Sequence, residues 1–144
     1  MNLSELRAMV AEDMAIDDTE LDIESLRTPQ LHNKYLNLFH DEKLRRVKLE
    51  EEYKKLLRLK WEYYTGKMDS ETLDEMGWEP FQLNVLRTDI DKYIDSDTEL
   101  STLRMKVSFS KEKVTYLEQV IKIMTNRQWN IRSAIEWRKF ISGV

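Results

Sequence analysis

The stretch "LSTLRMKVSFSKEKVTYLEQVIKIMTNRQWNIRSAI", residues 100–135, decides the fold. Within it Leu100, Leu103, Val107, Ser110, Val114, Leu117, Ile121, Met124, Gln128, Ile131 and Ile135 follow one another at alternating steps of three and four. That spacing is a heptad seam along one side of an α-helix, interrupted only by the polar Ser110 and Gln128. A second apolar line, Met105, Phe109, Tyr116, Val120 and Ile123, lies beside it. One seam needs one partner. Two adjacent lines predict burial on two sides, as in a helical hairpin that also self-associates. The candidates for a contact between copies are Leu103, Val107, Val114, Leu117, Ile121, Met124, Ile131 and Ile135. A purely intrachain hairpin fits the same spacing, and the periodicity sets no copy number. A straight helix from 97 to 141 would be about 68 Å long at ~1.5 Å per residue. A bend or break is therefore expected near Thr125-Asn126.

Upstream, "DSDTEL" at 95–100 is rich in capping residues and marks the start of that helix. A helix over about 81–94 precedes it, and "TGKMDSETLDEMGWEP" at 65–80 reads as a linker. Before the linker, Thr28-Pro29 has the signature of a helix start, with Thr28 as N-cap and Pro29 at the first helical position. The helix so begun runs to about Tyr64, where Thr65-Gly66 supplies a stop. A first helix covers about 2–14, from Leu3, Leu6, Val10 and Met14. The expected fold class is all-α, with long helices and a C-terminal helical hairpin or coiled-coil-like oligomerisation region. Three segments follow: 1–67 with the basic-aromatic long helix, 68–96 as acidic linker and short helix, and 97–144 as the C-terminal helical region.

Composition agrees. The 144 residues include only three glycines and two prolines, too few turn-formers for an all-β chain. No apolar run approaches the ~20 residues that span a bilayer, and the N-terminus lacks the pattern of a secretory leader. The absence of cysteine excludes disulfides and thiol chemistry. The net charge of −4 conceals alternating blocks: residues 1–42 carry −7, 43–67 carry +5, 68–99 carry −8 and 100–144 carry +6. The acidic blocks can meet the basic ones, or the basic ones can serve a polyanion.

Enzymatic motifs are absent. His32 and His40 stand eight apart with no HExxH, and Gly66-Lys67-Met68 lacks the rest of a phosphate loop. "DIDKYIDSD" at 89–97 lacks the glycine and the final glutamate of a calcium loop. No cofactor and no metal are expected.

The basic-aromatic end of the long helix, "KKLLRLKWEYYTGK" at 54–67, is more informative. Lys54, Lys55, Arg58, Lys60 and Lys67 interleave with Trp61, Tyr63 and Tyr64. Single-stranded nucleic acid needs cations for phosphates and π-faces for unstacked bases. A charge run on a helix is ordinarily a solvated face, and the tyrosines can be core. Lys60 departs from that pattern, because it falls within the apolar face of Leu49, Tyr53, Leu56 and Leu57. A buried lysine must snorkel or be paired. Arg58 lies about 200° away at ~100° per residue.

These motifs, in this order, resemble the UvsY family, the single-stranded DNA-binding recombination mediators of T4-like phages. The likeness runs from "IDDTEL" and "NKYL" through "RLKWEYYTG" at 58–66 to "DTEL" and "NRQWNIRSAIEWRKFISG". It implies a non-enzymatic protein of the infected host's cytoplasm. Its partners would be single-stranded DNA, a RecA-like recombinase and the single-strand DNA-binding protein. It would assemble as a ring-like homo-oligomer through its C-terminal region. The family's DNA-binding cations fall on Arg58 and Lys60, with arginine and lysine exchanged. Lys54, Lys55 and Lys67 would extend the field, and Trp61 or the tyrosines would stack on bases. Residues 68–94 match the family poorly, Trp78 and Pro80 especially. The alternative is a helical oligomeric structural or adaptor protein without DNA binding.

Overall fold

Asn2 opens the first helix. Its side chain accepts from the amide of Glu5 at 2.8 Å, and the Glu5 carboxylate accepts from the amide of Asn2 at 3.0 Å, a reciprocal cap. The computed structural model describes residues 1–144 and is all-α: α1 Leu3–Met14, α2 Leu21–Tyr64, α3 Ser70–Met76, α4 Ile90–Ser96 and α5 Thr98–Ser142. No helix is long and apolar enough to cross a membrane.

The long helix α2 begins at Leu21, eight residues before Pro29, so Thr28-Pro29 is not its start. An internal proline removes one hydrogen bond and crowds the preceding turn, at a cost of about 3 kcal/mol. Arg127 of α5 braces the adjoining residues of that turn. Its guanidinium donates to the carbonyl oxygen and to the carboxylate of Glu24, and to the hydroxyl of Thr28 at 2.7 Å. Hydrogen bonds to a charged group each contribute roughly 1.5–3 kcal/mol, enough together to hold the turn helical. Glu24, Thr28 and Arg127 are all buried, and only Nε of Arg127 lacks a partner.

The C-terminal helix is also longer than expected, continuous through Thr125 and Asn126. Thr125 donates its hydroxyl back to the carbonyl of Ile121 at 2.9 Å, an arrangement compatible with the helix. Arg127, two residues later, is fixed by α2. In contrast, the helix expected over 81–94 begins only at Ile90. Phe81 instead enters an aromatic cluster with Tyr63, Tyr64 and Tyr93, at centroid distances of 5.0–5.7 Å. That packing outweighs the weak helical preference of the intervening residues.

The chain packs as two compact units, Met1–Lys43 with Lys111–Val144, and Leu44–Ser110. In the first, Leu6 and Val10 of α1 and Leu31 and Tyr35 of α2 meet Leu117, Val120 and Met124 of α5. In the second, Ile90, Ile94 and Leu100 form the core, with Tyr53, Leu56, Leu57, Tyr64 and Val85 against them. Each such side chain contributes about 1.5–3 kcal/mol when fully buried. The heptad seam is thus filled from within one chain. Val107, Val114, Leu117, Met124 and Ile131 are buried by the chain's own helices, while Leu103, Ile121 and Ile135 are half-buried.

Candidate nucleic-acid interface

The basic-aromatic stretch forms the last turns of α2. Gly66 ends the helix in the left-handed conformation, at φ 74°. The amide of Lys67 donates to the carbonyl of Glu62 at 2.9 Å and that of Gly66 to the carbonyl of Tyr63 at 3.2 Å. These two bonds close a Schellman turn. The turn fixes Lys67 beside the helix end, where its ammonium lies 4.5 Å from the centre of the Trp61 ring.

Helical spacing puts Lys54, Arg58 and Trp61 on one stripe, within about 60° of each other. All three are exposed, the Arg58 side chain to 77%. Arg58 is bound only loosely to Glu62 at 3.5 Å, and Lys54 to Glu51 at 3.2 Å. Such exposed pairs are weak, at about 0–1 kcal/mol, so a phosphate competes with them readily. Lys54, Leu57, Arg58 and Trp61 line a groove closed on its other side by Asp91 and Ile94 of α4. Lys54, Lys55 and Arg58 line another beside it.

Lys60 is on the opposite face, only 6% exposed. Its Nζ is 3.1 Å from Oδ2 of Asp97 and 3.5 Å from Oε1 of Glu99. The ring of Trp78 covers it, with its centre 4.0 Å away. The Trp78 indole N–H donates to Glu99 at 3.1 Å. Asp97 is the hub of this cluster. Besides Lys60, it accepts from the hydroxyl of Tyr64 at 2.6 Å and from the amide of Leu100 at 2.9 Å, which caps α5. Burial acts to raise its pKa, but the bonds from Tyr64, Leu100 and Lys60 outweigh it and hold the carboxyl below its ordinary range. The Tyr64 hydroxyl is pushed up, first by burial and then by Asp97. Tyr63 donates to the carbonyl of Glu79 at 2.6 Å, so both tyrosines are occupied within the chain.

The structure therefore brings Lys54, Lys55, Arg58, Trp61 and Lys67 together at an exposed surface and sets Lys60 apart. Sequence spacing revealed the misplaced lysine but not its partners. Asp97 and Glu99 were visible only as capping residues, and nothing in the sequence signalled Trp78 as a cover. The residues show no His, Asp and Glu grouping that would hold a metal.

Comparison with known proteins bears on the family and the fold. The chain is 21% identical over 143 residues to the recombination protein uvsY of Enterobacteria phage T4, covering 99% of each. It superposes on crystal structures of the bacteriophage T4 recombination mediator protein UvsY. One crystal form gives a TM-score of 0.83 at 19% identity, over 99% of this chain and 98% of that one. A second gives 0.84 at 19% identity, over 97% and 99%. At that identity the likeness establishes the fold. The family model for the recombination, repair and ssDNA binding protein UvsY matches residues 9–144. With nearly the whole chain matched, this protein belongs to the UvsY family.

Proposed function

We propose that the chain is a recombination mediator that binds single-stranded DNA and promotes loading of a RecA-like recombinase in place of the single-strand DNA-binding protein. It acts by binding rather than by catalysis, as a ring-like homo-oligomer in the cytoplasm of the infected bacterial host. The observation that carries strand binding is the exposed stripe of Lys54, Arg58 and Trp61. Lys54 and Arg58 meet phosphates, Trp61 stacks on a base, and Lys55 and Lys67 extend the field. Sites of this kind repeated around an oligomer act multivalently, so each can be weak. The net acidic chain is no obstacle, because the local potential governs the encounter.

Lys60 enters this reading in a different role from Arg58. Asp97 and Glu99 already hold its ammonium, and a phosphate contact there requires displacing both. Lys60 is a positioning residue that fixes the end of α2 on which Arg58 and Trp61 stand. Self-association uses the apolar side chains that α5 leaves in solvent, Trp129, Trp137, Phe140 and Ile141, flanked by the half-buried seam positions.

The test is a titration of labelled oligo-dT against salt. Arg58→Ala should weaken binding and flatten the salt dependence by about 0.7 in the log–log slope for each phosphate no longer neutralised. Unchanged affinity and slope in a folded Arg58→Ala protein would sink the assignment. The pairing of Lys60 with acidic residues favours a second reading, a helical adaptor whose charge blocks serve only one another. It predicts no salt-sensitive oligonucleotide binding by the unmodified protein.

A further inference from the structure

A second cleft, of about 280 Å³, opens at Trp61 and is lined mainly by polar groups. Trp61 contributes both to it and to the groove of Lys54 and Arg58. Its other walls include Lys67, Gln82, Asn84 and Arg87, over an apolar floor that includes Phe81. Arg87 is the informative member. It belongs to the acidic block 68–99, where its only fellow cation, Lys92, is paired with Asp89 at 3.3 Å. Arg87 is exposed and forms no ion pair. The irregular segment before α4 carries it out of its acidic surroundings in sequence and sets it in the same cleft as Lys67 and Trp61. Two cations, two side-chain amides and an indole thus converge where the basic stripe of α2 ends. The cleft lies just below the usual range of ligand pockets, roughly 300–1,000 Å³, so it is limited to a single nucleotide.

Building on the proposed strand binding, we infer that this cleft takes one nucleotide of the single strand as it leaves the Lys54–Arg58 groove. Lys67 and Arg87 hold its flanking phosphates, the indole of Trp61 meets the base, and Gln82 and Asn84 offer donors and acceptors to the base edge. A guanidinium forks onto phosphate in a way an ammonium does not. The amides give the site a base preference that a plain basic stripe lacks, because stacking alone tolerates every base.

The experiment compares the full-length protein with its Arg87→Ala, Arg87→Glu and Asn84→Ala variants, using labelled oligo-dT and oligo-dA in a salt series. Circular dichroism verifies the fold, and Arg58→Ala is run alongside. Arg87→Ala should bind several-fold more weakly, with the salt slope reduced by about 0.7, and Arg87→Glu more weakly still. Asn84→Ala should change the ratio of dT to dA affinity while leaving the slope unchanged. If Arg58→Ala loses affinity while both Arg87 variants keep wild-type affinity and slope, the cleft is overturned and the stripe stands. If Arg58→Ala also binds as wild type, strand binding by the stripe fails, and the cleft inference falls with it.

Discussion

Lys60 is both charged and buried, and Asp97 reconciles the two. Removing either partner strands the other in a poorly solvated site, at a cost of roughly 3–5 kcal/mol. Lys60→Ala should therefore lower the thermal midpoint by many degrees, whereas Arg58→Ala should leave it unchanged, both followed by circular dichroism. Equal midpoints would mean that Lys60 does not anchor the helix end. Asp97 adds a pH dependence. Its carboxyl is held below its ordinary range in the folded chain, so its contribution is complete above the unfolded value of about 3.9. That contribution disappears as the pH falls through the lower, folded value. In the first unit Asp13 behaves alike: burial acts to raise it, but its bonds to Lys34 and Tyr35 prevail. Urea midpoints should hold steady down to about pH 5 and fall below about pH 4, less steeply in Asp97→Asn. At this scale the sequence exposes anomalies but not their resolution. Helical phase alone places Lys60 among Leu49, Tyr53 and Leu56, yet its partners come from residues 78, 97 and 99, at sequence distances no local pattern spans.

Both long helices were legible from periodicity, and their interiors are as the heptads and the apolar faces indicate. The errors sit at punctuation. Thr28-Pro29 carries the local chemistry of a helix start, and Arg127, about a hundred residues away in sequence, overrides it. A double-mutant cycle makes this measurable. Arg127→Met should cost more stability beside Pro29 than in a Pro29→Ala background, with a coupling on the order of 1 kcal/mol. Additive losses would show that the arginine does not support the proline turn. The charge blocks also find their partners at this level. The second block meets the third through Lys60 with Asp97 and Glu99, and the fourth meets the first through Arg127 with Glu24 and Arg138 with Asp18 at 3.5 Å. The alternation was plain in the sequence, but not which blocks would pair, because either arrangement satisfies the same signs.

For the whole molecule, the seam illustrates what periodicity leaves open. Heptads specify that a face is buried, not whose helix buries it. Leu117 is 2% exposed within a single chain, while Phe140 is 75% exposed. Leu117→Glu should therefore unfold the first unit. Phe140→Glu with Ile141→Glu should keep the helical signal and give smaller species in sedimentation. A mass unchanged by the second pair would remove the C-terminal end of α5 as the contact between copies. The aromatic neighbours Trp137 and Phe140 stack on each other at 5.6 Å, presenting a flat apolar surface of the kind that interfaces favour.

The division into two units has a further consequence, for the order in which the chain acquires its structure. Leu44–Ser110 is contiguous, so this unit can fold as soon as its own residues have emerged from the ribosome. The other unit joins Met1–Lys43 to Lys111–Val144. Leu6, Val10, Leu31 and Tyr35 must wait for Leu117 and Met124 to emerge from the ribosome. Their loop-closure cost is met late, and the part of the chain made first is completed last. A nascent chain whose Ser110 has just cleared the ribosomal exit tunnel holds a finished basic-aromatic surface and an unfinished N-terminus. In the nascent protein, the surface proposed to bind the strand is ready before the helix through which copies would assemble.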